Sequence, residues 1–267
     1  MRSEKINLGE KDKKNWQQIK KAIKSKKPLI HQISNYVSAN DSANITLNWG
    51  ALPVMASAPE EAAEIVESAS ALLINLGTLN QERLQAIYKA AQKANQLKIP
   101  IILDPVGVGG SDFRSRAAFK ILEEFQLTII KGNRAEIAFL AGEKAELKGV
   151  EAVGEYKDLD IAAQKLAQKQ NCLVVVSSRV DILAAKNDIF YSEWGSDLMG
   201  KIVGTGCMLG TTLAVFAAVE REIELFEKIK TALVYYGFAG QKAALQAQTP
   251  AKFKREFMDT IYQFAHN

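Results

Sequence analysis

The chain has 267 residues, 48% of them hydrophobic and 24% charged, which excludes a disordered polyelectrolyte and suffices for one sizeable buried core. Its formal charge of +4 is unevenly spread: residues 1–27 hold ten basic groups against three acids, and the remaining 240 residues carry a net charge of −3. The basicity therefore belongs to one short segment, which argues against nucleic acid as the main partner, and two cysteines exclude a disulfide framework.

Trp16, Ile19 and Ile23 recur at helical spacing in an otherwise polar run that ends before Pro28. This predicts a basic amphipathic helix over residues 1–27, packed on the body with its lysines turned to solvent. No secretory signal is evident at the amino terminus. The longest apolar stretch, 208–219, is interrupted by Gly210, Thr211 and Thr212 and falls short of the roughly 20 residues that span a bilayer. No membrane segment is expected, and a reducing cytoplasm is the expected compartment.

Beyond residue 27, short runs rich in Ile, Leu and Val lie at 28–33, 71–74, 99–103, 127–130 and 173–176. They are continuous rather than alternating, as in strands buried on both faces of a parallel sheet. Helical periods fall between them, near 38–49, 59–69, 80–97, 113–125, 133–141 and 159–170. Such alternation predicts βαβ units and an α/β layer fold. Residues 180–191 hold two apolar runs around a turn containing Asn187, which reads as a hairpin at the sheet edge. From Cys207 onward the pattern is helical throughout. No linker divides the stretch 28–267, which is expected to form a single domain.

Ligands of open α/β sheets bind beyond the carboxyl ends of the strands, so the polar residues that follow each apolar run carry the functional signal. Asp104 ends one run and is followed by a loop with Gly107, Gly109 and Gly110. An acid there needs a cation, a metal-bound water or backbone amides of its own turn. Asn133 and Glu136 stand three apart at a helix start. Glu136 could hold water on Mg²⁺ while Lys131 reaches nucleotide phosphates, but taken alone the spacing favours a capping box.

Gly204-Thr205-Gly206-Cys207 leads directly into an apolar helix. Its backbone N–H groups could face a phosphoryl group at the helix amino terminus, although turn packing explains a bare Gly-x-Gly equally well. Cys207 has the setting of a reactive thiol or of a small buried side chain, and Cys172 is assigned to the latter. Asn35 closes the first strand and could orient a ligand or cap a helix. His31 reads as a satisfied core histidine and His266 as inert. With two histidines and no Cys/His cluster, a zinc site is not expected.

Taken together these junctions are far more specific. Asn35-Tyr36-Val37, Gly50-Ala51-Leu52-Pro53-Val54-Met55-Ala56, Asn75-Leu76-Gly77-Thr78, Asp104-Pro105-Val106-Gly107, Gly132-Asn133-Arg134-Ala135-Glu136-Ile137 and Gly204-Thr205-Gly206-Cys207 occur in the order seen in hydroxyethylthiazole kinases. From about residue 28 to about 264 the chain resembles that family. The resemblance implies a three-layer ribokinase-like fold, with a central, mostly parallel sheet, helices on both faces and an edge hairpin. It implies ATP-dependent phosphorylation of the hydroxyl of 4-methyl-5-(2-hydroxyethyl)thiazole, a step of thiamine salvage, in a homotrimer whose pocket lies between subunits.

By the same resemblance Asn35, Met55 and Gly204 are expected to bind substrate, Lys131 and Ser177 to contact ATP, and Asp104 and Glu136 to organise Mg²⁺. Cys207 takes the place of the aspartate base of related sugar kinases, with Gly204 and Gly206 beside it in the catalytic loop. Lys131 stands where the family usually has Arg, Ser177-Ser178 where it has Thr-Gly, Leu52 for a serine and Val203 for a threonine. Leu52 and Val203 keep another small hydroxylated heterocycle open as acceptor. Lys131, Ser178 and Val203 keep open a paralogue that binds ligand with weakened catalysis.

Overall fold

The computed structural model describes residues 8–142, 147–148, 151–152, 158–219 and 223–267. Six strands, β1 (Leu29–Ile33), β2 (Leu52–Val54), β3 (Ala71–Asn75), β4 (Ile101–Asp104), β5 (Ile129–Asn133) and β8 (Leu173–Ser177), run parallel in one sheet. The hairpin of β9 (Asp181–Ala184) and β10 (Ile189–Ser192) extends it antiparallel at one edge, in the order β10-β9-β8-β5-β4-β3-β1-β2. A separate two-stranded ribbon pairs β6 (Leu147–Lys148) with β7 (Glu151–Ala152). The predicted parallel core and edge hairpin are both present. The short edge strand β2 and the ribbon lack apolar runs long enough to announce them.

The strands explain the layers. Along β3, Ala71 and Leu73 join one hydrophobic cluster while Leu72 and Ile74 join another, as the period of two requires. The first cluster gathers α1 (Glu10–Lys26), α2 (Ala39–Asn48), α8 (Thr205–Ala217), α9 (Leu225–Gln246) and α10 (Pro250–His266). The second gathers α3 (Ala62–Glu67), α4 (Gln81–Leu97), α5 (Asp112–Glu124), α6 (Arg134–Leu140) and α7 (Leu159–Gln170). A one-turn 3₁₀ segment, Asp197–Lys201, breaks the chain before α8. Among the described residues no helix is long and apolar enough to cross a membrane.

The basic segment is helical over Glu10–Lys26, with Glu10 and Asp12 in its first turn and Lys24 and Lys26 in its last, each favoured by the helix dipole. Its apolar stripe of Trp16, Ile19, Ala22 and Ile23 is buried. The Trp16 ring lies 4.9 Å from Tyr235, 5.4 Å from Trp49 and 5.7 Å from Phe216. Lys11 and Asn15 both reach the Glu227 carboxylate of α9, at 2.8 and 3.1 Å. The helix is thereby tied to the face that also carries α8. Replacing Trp16 by alanine removes this aromatic anchor and is expected to cost about 3–5 kcal/mol in a denaturant titration. An unchanged midpoint would show that α1 is not part of the cooperative fold.

Candidate active site

Strand alternation decides which polar side chains meet. Asn75 shares a face with Ala71 and Leu73, Asp104 with Ile102, Lys131 with Ile129, and Ser177 with Val175, all residues of the cluster beneath α8. The register pairs Asn75 with Asp104 and Lys131 with Val175. Four polar strand-end residues therefore converge below the amino end of α8, which supplies Cys207.

Asp104 is fully buried. The Lys131 ammonium donates to both of its oxygens, at 3.3 and 3.4 Å, and Asn75 Nδ2 donates to Oδ2 at 3.0 Å. Burial pushes the carboxyl up to about 6, helped by the charge of Glu136 and opposed by Lys131 and Asn75. For Lys131 the outcome is upward: burial alone would discharge the ammonium, but the carboxylates of Asp104 and Glu136 outweigh it. A charged pair thus sits in the protein interior. Asn35 donates to Asn75 Oδ1 at 3.0 Å, and the Nδ2 groups of Asn35 and Asn75 reach Cys207 Sγ at 3.4 and 3.3 Å.

The α8 helix begins at Gly204, which adopts φ +98°, a backbone that side chains resist. Among the described residues no side chain caps this helix, so the amides of its first turn remain directed outward. At Gly206 a Cβ would lie 3.3 Å from the Lys131 ammonium. The missing side chain lets the first turn approach that charge closely. Tyr236 Oη donates to the Thr205 carbonyl at 2.5 Å, and Thr205 Oγ1 donates to the Met199 carbonyl at 2.9 Å, fixing the turn from both sides.

A cavity of about 800 Å³ opens on the far side of this turn, with Ser177, Asp181, Trp194, Met199, Thr205 and Gly206 in its wall. Ser177 Oγ is held by the Gly132 carbonyl at 3.2 Å. Asp181 Oδ1 accepts the Ser178 N–H at 2.8 Å and shapes the turn after β8.

Asn133 and Glu136 form the capping box that their spacing favours. Asn133 Oδ1 accepts the Glu136 N–H at 2.9 Å and Glu136 Oε2 accepts the Asn133 N–H at 2.7 Å, completing the capping box. Glu136 Oε1 also accepts the Gly107 N–H at 2.9 Å, which ties the glycine loop after Asp104 to α6. As a test of fit for Mg²⁺, Asp104 and Glu136 supply only hard oxygens, each with a lone pair left to receive hydrogens of metal-bound water. Among the described residues no three His, Cys, Asp or Glu side chains gather. The arrangement suits a cation that keeps water and takes phosphate oxygens.

Lys131, expected on nucleotide phosphates, is 3% exposed, and its ammonium donates to Asp104 beneath Gly206. Met55 lies outside the network, exposed beyond edge strand β2. Leu52, Tyr36, Val37 and Val203 are also exposed. His31 is only half satisfied: one ring nitrogen meets the Ala56 carbonyl at 2.7 Å, while Nδ1 has no partner among the described residues. Cys172 is partly rather than fully buried, and its thiol is pushed up to about 12 by burial. His266 stacks on Tyr262 at 4.2 Å. Three contributors escape the sequence reading: Asn75, Asp181 and Tyr236. Asn75 obeys the same strand-end signal that reveals Asp104, while Asp181 opens a strand and Tyr236 hides in an apolar helix.

This sheet order, with a glycine-opened helix over the strand ends, defines a ribokinase-like fold. It is shared with a ribokinase-like superfamily protein from Enterococcus faecalis V583, at TM-score 0.63 and 17% identity over 90% of this chain and 88% of that one. A hydroxyethylthiazole kinase protein from Pyrococcus horikoshii OT3 superimposes at TM-score 0.84, with 34% identity over 94% of this chain and 93% of that one. The model of the hydroxyethylthiazole kinase family matches residues 20–267. Hydroxyethylthiazole kinases from Thermoanaerobacter sp. (strain X514) and Methanosarcina acetivorans are 46% identical over 244 residues and 43% identical over 245. These alignments cover 91% and 92% of this chain, and 92% and 93% of the relatives. The chain belongs to the hydroxyethylthiazole kinase family.

Burial pushes Asp181 from 3.8 up to about 7. The folded protein then binds more protons than the unfolded chain between about pH 4 and 7, so this group lowers stability as pH rises through that window. An Asp181→Asn protein keeps an acceptor for Ser178 without the charge. Its melting temperature is expected to match the parent near pH 4 and to exceed it by several degrees at pH 7.5. Parallel curves would refute the charge burial.

Proposed function

We propose that this protein transfers the γ-phosphoryl group of ATP to the hydroxyl of 4-methyl-5-(2-hydroxyethyl)thiazole in the cytoplasm, as a step of thiamine salvage. Membership of the family supports the reaction. The observation that carries the site is the uncapped amino end of α8, set directly over the buried Lys131 ammonium and between the cavity and the asparagine–cysteine cluster. Residues 28–267 act as one kinase domain, with α1 packed on it as an appendage; residues 1–7 of the basic segment lie outside the described residues.

In this reading ATP enters the cavity, with Ser177 at its wall and Lys131 facing the phosphates. The α8 amides of Gly204 to Cys207 stabilise charge on the phosphoryl in transit, and Lys131 adds its charge from below. Asp104 and Glu136 hold the water shell of Mg²⁺, which when bound neutralises the phosphate oxygens. Asn35, Met55 and Gly204 bind the acceptor. Cys207 faces its hydroxyl as a weak base, which suffices because phosphoryl transfer rests mainly on positioning. We further propose a homotrimer: the exposed side chains of Tyr36, Val37, Leu52, Met55 and Val203 are the surface that a neighbouring subunit would cover, and sedimentation tests this.

ATP consumption is expected only with both the thiazole and Mg²⁺ present, and Glu136→Ala is expected to lower turnover about a hundredfold in a coupled assay. Full activity in that variant would remove Glu136 from the site. Exposed Leu52 and Val203 favour testing other hydroxylated heterocycles in the same assay, and preference for one of them would replace the thiazole as acceptor.

A further inference from the structure

We propose that Asn75 is the positioning residue that holds the acceptor side and the phosphoryl side of this site in one register. The inference rests on the kinase reading above and adds a residue to it. Asn75 ends β3 and is fully buried. Its carboxamide makes four hydrogen bonds: Nδ2 donates to Asp104 Oδ2 at 3.0 Å and Cys207 Sγ at 3.3 Å, and Oδ1 accepts from Asn35 Nδ2 at 3.0 Å and the Gly77 N–H at 2.9 Å.

The orientation of this amide follows from its partners. A backbone N–H can meet only Oδ1, and a carboxylate can meet only Nδ2. Asn35 is fixed in the same way, since its Oδ1 accepts the N–H groups of Val37 and Ser38 at 2.9 Å each. Its Nδ2 therefore faces Asn75 and Cys207. The sulfur thus receives two N–H donors from two different strand ends, and the sulfur, the buried carboxylate and Asn35 share a single rigid carboxamide. Aspartate at position 75 would keep the shape, lose both donors and set a charge against Asp104.

In steady-state assays with ATP and the thiazole, Asn75→Asp and Asn75→Ala are expected to lower kcat by about 30- to 100-fold, because displacements of about an ångström carry losses of that size. KM for ATP stays within about twofold. In a Cys207→Ala background the loss caused by Asn75→Ala is expected to shrink at least about threefold, because residues of one network are not additive. Equal losses in both backgrounds, or a lower melting temperature with kcat intact, would overturn the proposal.

A second readout needs no turnover. The Asn75 side-chain N–H groups should exchange slowly with solvent in the parent and at least about tenfold faster in Cys207→Ala; unchanged exchange also overturns the proposal. A parent protein that does not phosphorylate the thiazole refutes the kinase reading instead, and the exchange measurement still decides the role of Asn75.

Discussion

The site depends on one buried ion pair. Asp104 and Lys131 meet at the ends of neighbouring parallel strands, essentially out of contact with water. Stripping both charges of water costs several kcal/mol for each ion, and their attraction offsets this only when the remaining polar atoms are also satisfied. For the carboxylate they are: Asn75 donates to it and is itself held by Cys207 and Asn35, while the glycine at 206 leaves room above the ammonium. Well-packed hydrophobic residues of similar volume are often at least as stabilising as such a pair. Under the kinase reading proposed above, charge in such a costly place serves chemistry rather than folding.

The surrounding structure follows from holding that pair. A carboxylate and an ammonium at successive strand ends must lie on one face, and they can be covered only by an element that brings no bulk to the contact. The α8 helix meets this condition by opening on glycines, and its uncapped first turn also points partial positive charge at the same place. Tyr236 from α9 and the 3₁₀ segment then hold the turn by hydrogen bonds to and from Thr205. The Glu136 carboxylate extends the arrangement to the second glycine loop by accepting Gly107 N–H while capping its own helix. Capping therefore does not preclude the proposed role of Glu136, because a carboxylate has lone pairs enough for both.

Much of this was legible in the chain before any coordinates. Continuous apolar runs gave the parallel strands, and the rule that function gathers beyond strand ends pointed to Asp104, Lys131, Ser177 and Asn35. Pairwise geometry was not legible. Nothing in a one-dimensional pattern says that Lys131 turns onto Asp104, because that depends on both strands sharing a register and on which face each residue takes. Asn75 stands in one of the motifs of the resemblance, but its role depends on pairwise geometry too: only its four hydrogen bonds make it the centre of the network. Asp181 and Tyr236 are buried polar groups inside apolar elements, where composition hides them.

The charge distribution also has a physical explanation. The body of the protein is mildly acidic while its proposed co-substrate is a polyanion, and the positive segment lies in α1, tied by Lys11 and Asn15 to the Glu227 carboxylate of α9. Exposed lysines on such a helix are screened within about 8 Å at physiological ionic strength, so they contribute little at a site formed at the strand ends. What draws phosphate there must be short-ranged and poorly screened. The first-turn amides of α8, which no side chain among the described residues caps, satisfy both conditions over a few ångströms, with the Lys131–Asp104 pair close beneath them. In the proposed reading recognition of the anion is local, and the net charge of the chain is free to be set by solubility and by the docking of α1.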